Sequence, residues 1–391
     1  MDYKHLEGIQ TYFHKQNLHL CKNSDSNSSN DYKILERDTI NLLSYNVFQV
    51  PRVASLFHPA PHPEERLLGL TNILKDYDIL CFQECWGFCQ ERKEKIILMA
   101  QKAGYFFFRE SPAPGLLTSF IGDGDALTER GTLYVKIKLG LDNYVNIFNL
   151  HTNSSTAFPF PRIMKQTVEC RQDQIKQMIN FVDSVISKDN MRDANASNMY
   201  LIVGDFNLSA IPIDQKLKDM ILKFRPDYGY LVDIFDGEFN QMMTYMTKQD
   251  VQIEVNEDTD RYANIQYANM NVRDNENIHK VINYGYLHND NQHPGTMVGG
   301  QPVSRVNKSK GGLNMNGQTF KMCIDYIIEK RILFNGQEKS ARAHVVEGSC
   351  KVIEFSNNDQ KLPYNKLSDH FGLCLEIRVD QDENAIGQKT I

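Results

Sequence analysis

One apolar stretch of this 391-residue chain ends in two side chains that can take part in chemistry. Residues 201–207, LIVGDFN, are typical of a strand that runs through a Gly turn to Asp205 and Asn207. An ionised Asp can accept a proton from water, and the amide of Asn can donate to a phosphate oxygen. The pair therefore suits hydrolysis of a phosphoester, but Gly, Asp and Asn are also the usual residues of a turn.

Other polar residues stand at the ends of predicted strands, or inside one, and widen the set of candidates. The full set is Asn46, Glu84, His151, Asp205, Asn207, Asp325, Asp369 and His370. Glu84 follows the apolar stretch DILCF, where a carboxylate could bind Mg²⁺ or cap the next helix. His370 can transfer a proton near neutral pH, and either Asp325 or Asp369 could hold its tautomer. Because strand ends meet at one edge of a sheet, these residues can share one pocket.

The elements that must position these residues follow from the periodicity of the apolar side chains. Predicted strands cover residues 40–47, 78–82, 105–108, 131–139, 144–150, 201–203, 323–328, 341–346 and 371–379. Predicted helices cover residues 63–77, 95–102, 175–186 and 214–224. The alternation of strands and helices, with a hairpin turn at 140–143, is typical of an α/β sandwich of mixed sheets.

The chain is predicted to form one domain with polar additions. Residues 21–31, CKNSDSNSSND, cannot pack a core, so we predict a flexible leader over residues 1–35. A single phosphoesterase domain is predicted over residues 36–380, with a long polar insertion at about 242–319. Residues 381–391 are predicted to be a tail.

Composition limits the classes of partner. The net charge of -6 and the pI near 6.0 argue against a protein that holds nucleic acid through a broad basic surface. The first residues are polar, and no stretch is long and apolar enough to span a bilayer. We therefore expect a cytoplasmic monomer with reduced cysteines, with peripheral contact at membranes as an alternative location.

The candidates lie in an ordered series of short motifs, SYN, FQE, NLHT, GDFN, IDY and SDH. This series resembles the endonuclease/exonuclease/phosphatase superfamily, the DNase I-like metal-dependent phosphoesterases, over nearly the whole chain. It is most similar to the neutral sphingomyelinases. Abasic-site endonucleases usually place Tyr at the position of His151, whereas sphingomyelinases and phosphoinositide phosphatases place His. The run GTLYVKIKLGLDNYVNIFNLHT is similar to that branch as well. The resemblance implies an α/β fold, a four-layer sandwich of two mixed β-sheets flanked by helices.

The resemblance also implies a metal site. Glu84 would be the principal ligand of Mg²⁺, with Mn²⁺ as an alternative ion. Asn46 would support the metal or the phosphate from nearby. Asp369 would lie beside the metal or beside His370.

Five residues would carry the reaction by the same resemblance. Asp205 would orient or deprotonate the attacking water, and Asn207 and His151 would stabilise charge on the phosphoryl oxygens. His370 would act as the general base or contact the transition state. Asp325 would orient the imidazole of His370.

The resemblance predicts a Mg²⁺-dependent phosphodiesterase that hydrolyses sphingomyelin or a related phosphocholine lipid, at a membrane surface, with no nucleic acid partner. A phosphoinositide phosphatase or a nuclease on the same fold is one alternative. An inactive binding protein is another, because a strand that the family usually has is missing near residues 116–130. The difference is roughly twenty to thirty residues by motif alignment. Either the sequence is incomplete there, which we favour, or another segment fills the gap.

Overall fold

The computed structural model of the protein describes residues 10–15, 39–49, 61–85, 90–110, 131–140, 143–154, 161–192, 196–210, 218–219, 222–223, 229–248, 269–274, 277–284, 297–299, 320–334 and 342–380. The strands, in chain order, are β1 (Gln10–Lys15), β2 (Thr39–Asn46), β3 (Ile79–Gln83), β4 (Tyr105–Glu110), β5 (Gly131–Gly140), β6 (Asn143–His151), β7 (Ser197–Asp205), β8 (Asn269–Asp274), β9 (Asn277–Asn283), β10 (Met297–Gly299), β11 (Phe320–Met322), β12 (Asp325–Phe334), β13 (Ala343–Val345), β14 (Lys351–Ile353) and β15 (Gly372–Val379). The helices are α1 (Pro63–Ile73), α2 (Gln90–Lys102), α3 (Pro161–Arg192) and α4 (Gly229–Thr247).

The strands form two large mixed sheets and a small sheet of β10 and β11. The first sheet has the order β13-β15-β2-β3-β1-β4, and β14 also pairs with β15. The second sheet has the order β5-β6-β7-β12-β9-β8. The pair β2 and β3 is parallel in the first sheet, and the pair β6 and β7 is parallel in the second. The carboxyl ends of these two parallel pairs carry several of the predicted site residues.

Three apolar clusters bind four layers together. Side chains such as Ile79 of the first sheet and Leu201 of the second fill the space between the sheets. Helices α1 and α2 cover the outer face of the first sheet, where Leu70 is buried. Helices α3 and α4 cover the outer face of the second sheet, where Ile179 is buried. The predicted four-layer α/β sandwich of two mixed sheets flanked by helices is therefore confirmed.

Strand β7 illustrates how the sequence encodes a central strand. Leu201 and Val203 face the core between the sheets, while Tyr200 and Ile202 face α3 and α4. A strand that is covered on both faces is expected to be a continuous apolar run, which is what residues 200–203 provide.

The helices agree with the sequence prediction in part. Helix α1 begins at Pro63 with two acidic residues in its first turn, which suits the positive end of the helix dipole. The predicted helix 214–224 lies outside the described residues apart from 218–219 and 222–223. Within the described ranges, no helix combines the length and the apolar character needed to cross a bilayer.

The N-terminal part of the chain contributes to the first sheet. Strand β1 pairs antiparallel with β3 on one side and with β4 on the other. Residues 10–15, which the prediction places in the flexible leader, are a strand of this sheet. The polar run at 21–31 hid this strand, because it suggested that ordered structure begins only after it. Strand β1 thereby supplies a hydrogen-bonding neighbour to both β3 and β4.

The predicted polar insertion at about 242–319 also contains regular structure. Helix α4 extends to Thr247, and β8 and β9 extend the second sheet from β12. Strand β9 takes its place through backbone pairing with β12 and not through a clear apolar period. The segment 116–130 and the tail 381–391 lie outside the described residues.

Candidate active site

The second sheet places three site residues side by side. His151 is the last residue of β6 and is directly opposite Asp205, the last residue of β7. Asp325 is the first residue of β12 and is also directly opposite Asp205. All three side chains are buried. The strand register alone therefore brings together residues that are far apart in the sequence.

The Gly turn predicted at the end of β7 depends on a close backbone approach. Gly204 has a φ of 129°, and a Cβ atom there would lie 2.0 Å from the carbonyl oxygen of Leu150. Three residues further on, Asn207 has a φ of 50°. Its backbone nitrogen donates to Oδ1 of Asp205 at 2.8 Å, and its side-chain amide donates to the carbonyl oxygen of Thr152 at 3.0 Å. The turn thereby fixes the orientation of the Asp205 carboxylate.

The first sheet supplies Asn46, Glu84 and His370. Asn46 ends β2, Glu84 follows β3, and His370 precedes β15. The Asn46 amide nitrogen lies 3.1 Å from Oε1 of Glu84, 2.9 Å from Oδ2 of Asp205 and 3.4 Å from Nε2 of His370. Asn46 therefore joins the two sheets at the centre of the site.

Two imidazoles converge on the same carboxylate oxygen. Nε2 of His151 lies 3.6 Å from Oδ2 of Asp205 and 3.8 Å from Oε1 of Glu84. Nε2 of His370 lies 3.7 Å from Oδ2 of Asp205, and its Nδ1 lies 2.9 Å from Oδ2 of Asp325. The contact with Asp325 fixes which ring nitrogen of His370 faces the site.

The site groups its donor atoms in two sets that share Asp205. One set contains Glu84, His151 and Asp205, and the other contains Asp205, Asp325 and His370. Within each set the donor atoms lie within 4.8 Å of one another. Carboxylate oxygens with an imidazole nitrogen are a donor set that a divalent cation such as Mg²⁺ or Mn²⁺ can accept.

Burial and neighbouring charges shift the pKa values of the central groups. Burial raises the pKa of Asp205 to about 6, although the charge of His370 acts in the opposite direction. Burial alone would lower the pKa of His370, but the carboxylates of Asp325, Asp205 and Asp369 together raise it well above its usual value of 6.5. The two groups thus stabilise each other's charged forms in a site that excludes much of the solvent.

Two predicted site residues are placed differently from the central group. Asp369 accepts a hydrogen bond from the hydroxyl of Ser368 at 3.3 Å and is absent from both donor sets among the described residues. The amide of Asn207 faces Thr152, as described above.

The side chain of Asn46, which was predicted beside the metal, has a fixed orientation. Its amide oxygen accepts from the backbone nitrogen of Phe48 at 3.0 Å, so its amide nitrogen faces the carboxylates.

Sequence reasoning missed a polar bridge beneath the site. The amide nitrogen of Gln83 donates to Oδ1 of Asn149 at 2.8 Å, which links the two sheets, and also lies 3.2 Å from the hydroxyl of Ser44. All three side chains are buried. Polar residues that alternate with apolar ones on the inward face of a strand, as Gln83 does after Cys81, were the available signal.

Two buried arginines were missed as well. Arg66 on α1 and Arg171 on α3 have fully buried side chains. Arg66 precedes the buried Leu70 by four residues, and Arg171 precedes the buried Ile175 by four, so each shares the inward face of its helix. The helical periodicity of the apolar residues predicts that these faces are buried. An arginine on such a face was the available signal that a charged side chain is buried there.

The fold and the site define an α/β sandwich that carries a buried cluster of carboxylates and imidazoles able to hold a divalent cation. No protein-family model matches the chain. A curated sphingomyelinase of Dictyostelium discoideum is 24% identical over an alignment that covers 35% of this chain and 38% of that protein. The chain is therefore matched to well under half of this relative's length. The resemblance predicted from the motifs is confirmed, at low sequence identity.

Several solved structures are similar to the chain over most of its length. SmcL is 14% identical, with a TM-score of 0.45 and coverage of 88% of this chain and 99% of that one. Sphingomyelinase C from Streptomyces griseocarneus is 12% identical, with a TM-score of 0.43 and coverage of 86% and 99%. A truncated TDP2 from Caenorhabditis elegans is 13% identical, with a TM-score of 0.42 and coverage of 87% and 98%.

Proposed function

We propose that this protein is a metal-dependent phosphodiesterase that hydrolyses sphingomyelin or a related phosphocholine lipid by attack of an activated water. One observation carries the proposal. Strand ends from two different sheets bring the buried His151, Asp205, Asp325 and His370 together with the partly buried Glu84. A purely structural role does not require three carboxylates and two imidazoles at one point, because each buried charge opposes folding unless it is compensated.

The donor set fits a divalent cation. Glu84, His151 and Asp205 present two carboxylate oxygens and one imidazole nitrogen within 4.8 Å of one another. Mg²⁺ is commonly held by one or two protein carboxylates together with water and substrate phosphate, and Mn²⁺ accepts imidazole more readily. When bound, such an ion would neutralise phosphate charge and favour departure of the leaving oxygen.

The remaining chemistry belongs to side chains of this chain. Asp205 is oriented by the backbone nitrogen of Asn207 and by the amide of Asn46, so it can orient a water molecule and accept its proton. His370 is oriented by Asp325 and can accept a proton or stabilise negative charge on the phosphoryl group. His151 faces the same space, and if Glu84 and Asp205 alone hold the ion, its Nε2 can instead donate to a phosphoryl oxygen.

The choice of substrate has separate support. The curated relative is named a sphingomyelinase, and His151 of the motif NLHT distinguishes the chain from the abasic-site endonucleases, although phosphoinositide phosphatases share this His. A phosphocholine lipid is presented at a bilayer surface, so we propose that the enzyme works there as a peripheral protein from the cytoplasmic side and as a monomer.

The test is a panel of substrates with purified protein. Sphingomyelin, a lysophospholipid, a phosphoinositide and abasic DNA are each incubated with Mg²⁺, with Mn²⁺ or with EDTA. We expect release of phosphocholine from sphingomyelin in the presence of metal and no release in EDTA. Hydrolysis of the phosphoinositide or of the DNA instead would reject the substrate, and no metal-dependent hydrolysis at all would reject the enzyme.

Three variants connect the activity to the site. Asp205→Asn and His370→Ala should each lower turnover by about 10²–10⁴-fold, the range for loss of general acid–base catalysis. The matched control is His344→Ala, because His344 is half exposed on β13 and its described ion pair is with Asp380. Equal activity of His370→Ala and His344→Ala would exclude His370 from the reaction.

A further inference from the structure

Arg66 has an unusual set of hydrogen-bond partners for a buried charge. Its guanidinium donates to the carbonyl oxygen of Pro61 at 2.9 Å, of Val47 at 3.3 Å, of Leu367 at 2.6 Å and of Phe48 at 2.6 Å. All of these acceptors are backbone carbonyls. The side chain is fully buried, and its described hydrogen bonds include none to a carboxylate.

Three of the four carbonyls belong to segments that carry site residues. Val47 and Phe48 are the two residues that follow Asn46, and Leu367 lies three residues before His370. Arg66 is therefore the point at which the segment after β2 and the segment before β15 are joined. One planar group bridges two loops that are more than 300 residues apart in sequence.

The contact with Phe48 continues to the centre of the site. Phe48 has a φ of 49°, and the guanidinium of Arg66 lies 5.3 Å from the centre of its ring. The backbone nitrogen of Phe48 donates to the amide oxygen of Asn46. That bond turns the Asn46 nitrogen to Glu84, Asp205 and His370, at the distances given above.

The energetic cost of this arrangement argues against a role in stability alone. Burial lowers the pKa of Arg66 to about 10, although the charge of Asp369 opposes the shift. A buried charge without a paired carboxylate is expensive, and an apolar side chain of similar volume is often at least as favourable for folding. The guanidinium of Arg66 presents several N–H donors in one plane. The ammonium group of a lysine cannot do so, and a lysine would therefore not reproduce the four bonds.

We propose that Arg66 is a positioning residue, which sets the distance between Asn46 and His370 by holding the backbone of Phe48 and Leu367. This proposal rests on the proposed function for its kinetic part only. The described hydrogen bonds of Arg66 reach neither Glu84 nor Asp205, although the charge of Glu84 helps to raise the pKa of Arg66, so Arg66 acts through the two loops and not on the substrate.

The experiment compares Arg66→Lys and Arg66→Met with the control Lys330→Met. Lys330 is also a fully buried cation, but it pairs with Asp183 on the opposite outer layer. Three quantities are measured for each variant: the melting temperature, kcat and KM for bis(p-nitrophenyl) phosphate with Mg²⁺, and the imidazole nitrogen NMR signals of His370. The signals are assigned by their loss in His370→Ala.

We expect both Arg66 variants to move the His370 signals and to lower kcat by about 10²-fold, the effect of a small misplacement of reacting groups, with little change in KM. Lys330→Met should lower the melting temperature without either effect. If Arg66→Lys leaves kcat and the His370 signals unchanged, or fails to fold where Lys330→Met folds, Arg66 serves stability alone and the proposal is overturned. If the wild-type protein hydrolyses no phosphodiester, the proposed function fails, and the NMR signals still decide the position of His370.

Discussion

The two sheets contribute to the site by different physical means. In the second sheet, His151, Asp205 and Asp325 are neighbours in a single hydrogen-bonded ladder, so the backbone pairing fixes their spacing. In the first sheet, only Asn46 lies on a strand, while Glu84 follows one and His370 precedes one. These two lie outside the strand ladders, and their positions depend on a few bonds, which are the backbone bond from Gln49 to the carbonyl oxygen of Glu84 and side-chain bonds of Asn46 and Ser368. We call the site residues of the first sheet the first half of the site and those of the second sheet its second half. We infer that the second half is as rigid as its sheet and that the first half depends on a few polar contacts.

The first prediction follows from this difference and has the largest expected effect. Gly204→Ala should prevent folding, because the new Cβ would lie 2.0 Å from the carbonyl oxygen of Leu150 and two paired strands cannot separate to admit it. The measurement is the yield of soluble protein and its far-ultraviolet circular dichroism.

Gly348→Ala is the control for the strain of a positive φ without a clash. Gly348 has a φ of 71° and nothing within 4 Å of the added Cβ, so the cost should be only about 1–3 kcal/mol. A folded Gly204→Ala protein with the stability of Gly348→Ala would show that the ladder between β6 and β7 is not as close as described.

The same difference explains what the sequence could predict. Strands end where their apolar run stops, so Asn46, His151 and Asp205 were predicted from the pattern alone. The hairpin of β5 and β6 was predicted from its turn. Their convergence followed from the rule that strand ends share one edge of a sheet.

What could not be predicted depends on contacts between distant segments. Strand β1 lies between β3 and β4 although it comes from the far N-terminal side of a polar run, and no local periodicity encodes that neighbour. The direction of the Asn46 amide and the four bonds of Arg66 depend on where Phe48 and Leu367 lie in space. The local sequence predicts where a strand lies and which face of a helix is buried, but it does not predict which distant segment that strand or helix contacts.

The second prediction concerns Arg171, the buried arginine of the second sheet's helical layer. Its guanidinium forms two hydrogen bonds with Glu238, at 3.0 Å and 2.6 Å, and one with the carbonyl oxygen of Asn153 at 2.9 Å. Arg171→Met leaves the buried Glu238 without this partner, so we expect a loss of about 3–5 kcal/mol in the free energy of unfolding, measured by urea denaturation. The double variant Arg171→Met/Glu238→Gln should recover part of it.

Activity separates Arg171 from Arg66. His151 is paired in the ladder on both sides, and the described bond of Arg171 to this segment lies beyond the strand, at Asn153. The folded Arg171→Met protein should therefore keep nearly the wild-type kcat at a temperature well below its melting point. A large fall in kcat would show that the second sheet also relies on side-chain ties, and the distinction between the two halves of the site would be lost.

The third prediction tests whether β1 belongs to the first sheet. Tyr12 is opposite Cys81 of β3 and Arg109 of β4, so Tyr12→Pro removes a backbone donor inside the ladder. We expect a loss of about 1–3 kcal/mol in the free energy of unfolding, the cost of a buried group left without its partner. Tyr12→Val keeps the donor and is the control. Identical urea midpoints for the two variants would place residues 10–15 outside the sheet.

The last and smallest prediction concerns a feature that the two halves of the site share. Glu84 in the first half has a φ of 57°, and Asn207 in the second has a φ of 50°. At each position Ala and Gly both remove the functional group, but Gly accepts a left-handed backbone, so the Gly variant should be more stable by about 1 kcal/mol. Thermal unfolding of the four variants measures this difference, while all four should lack activity. If the Gly variant at position 84 is no more stable than the Ala variant, the loop after β3 relaxes when the carboxylate is removed. The left-handed backbone at position 84 is then held by the Glu84 side chain, whereas at position 207 it is held by the turn.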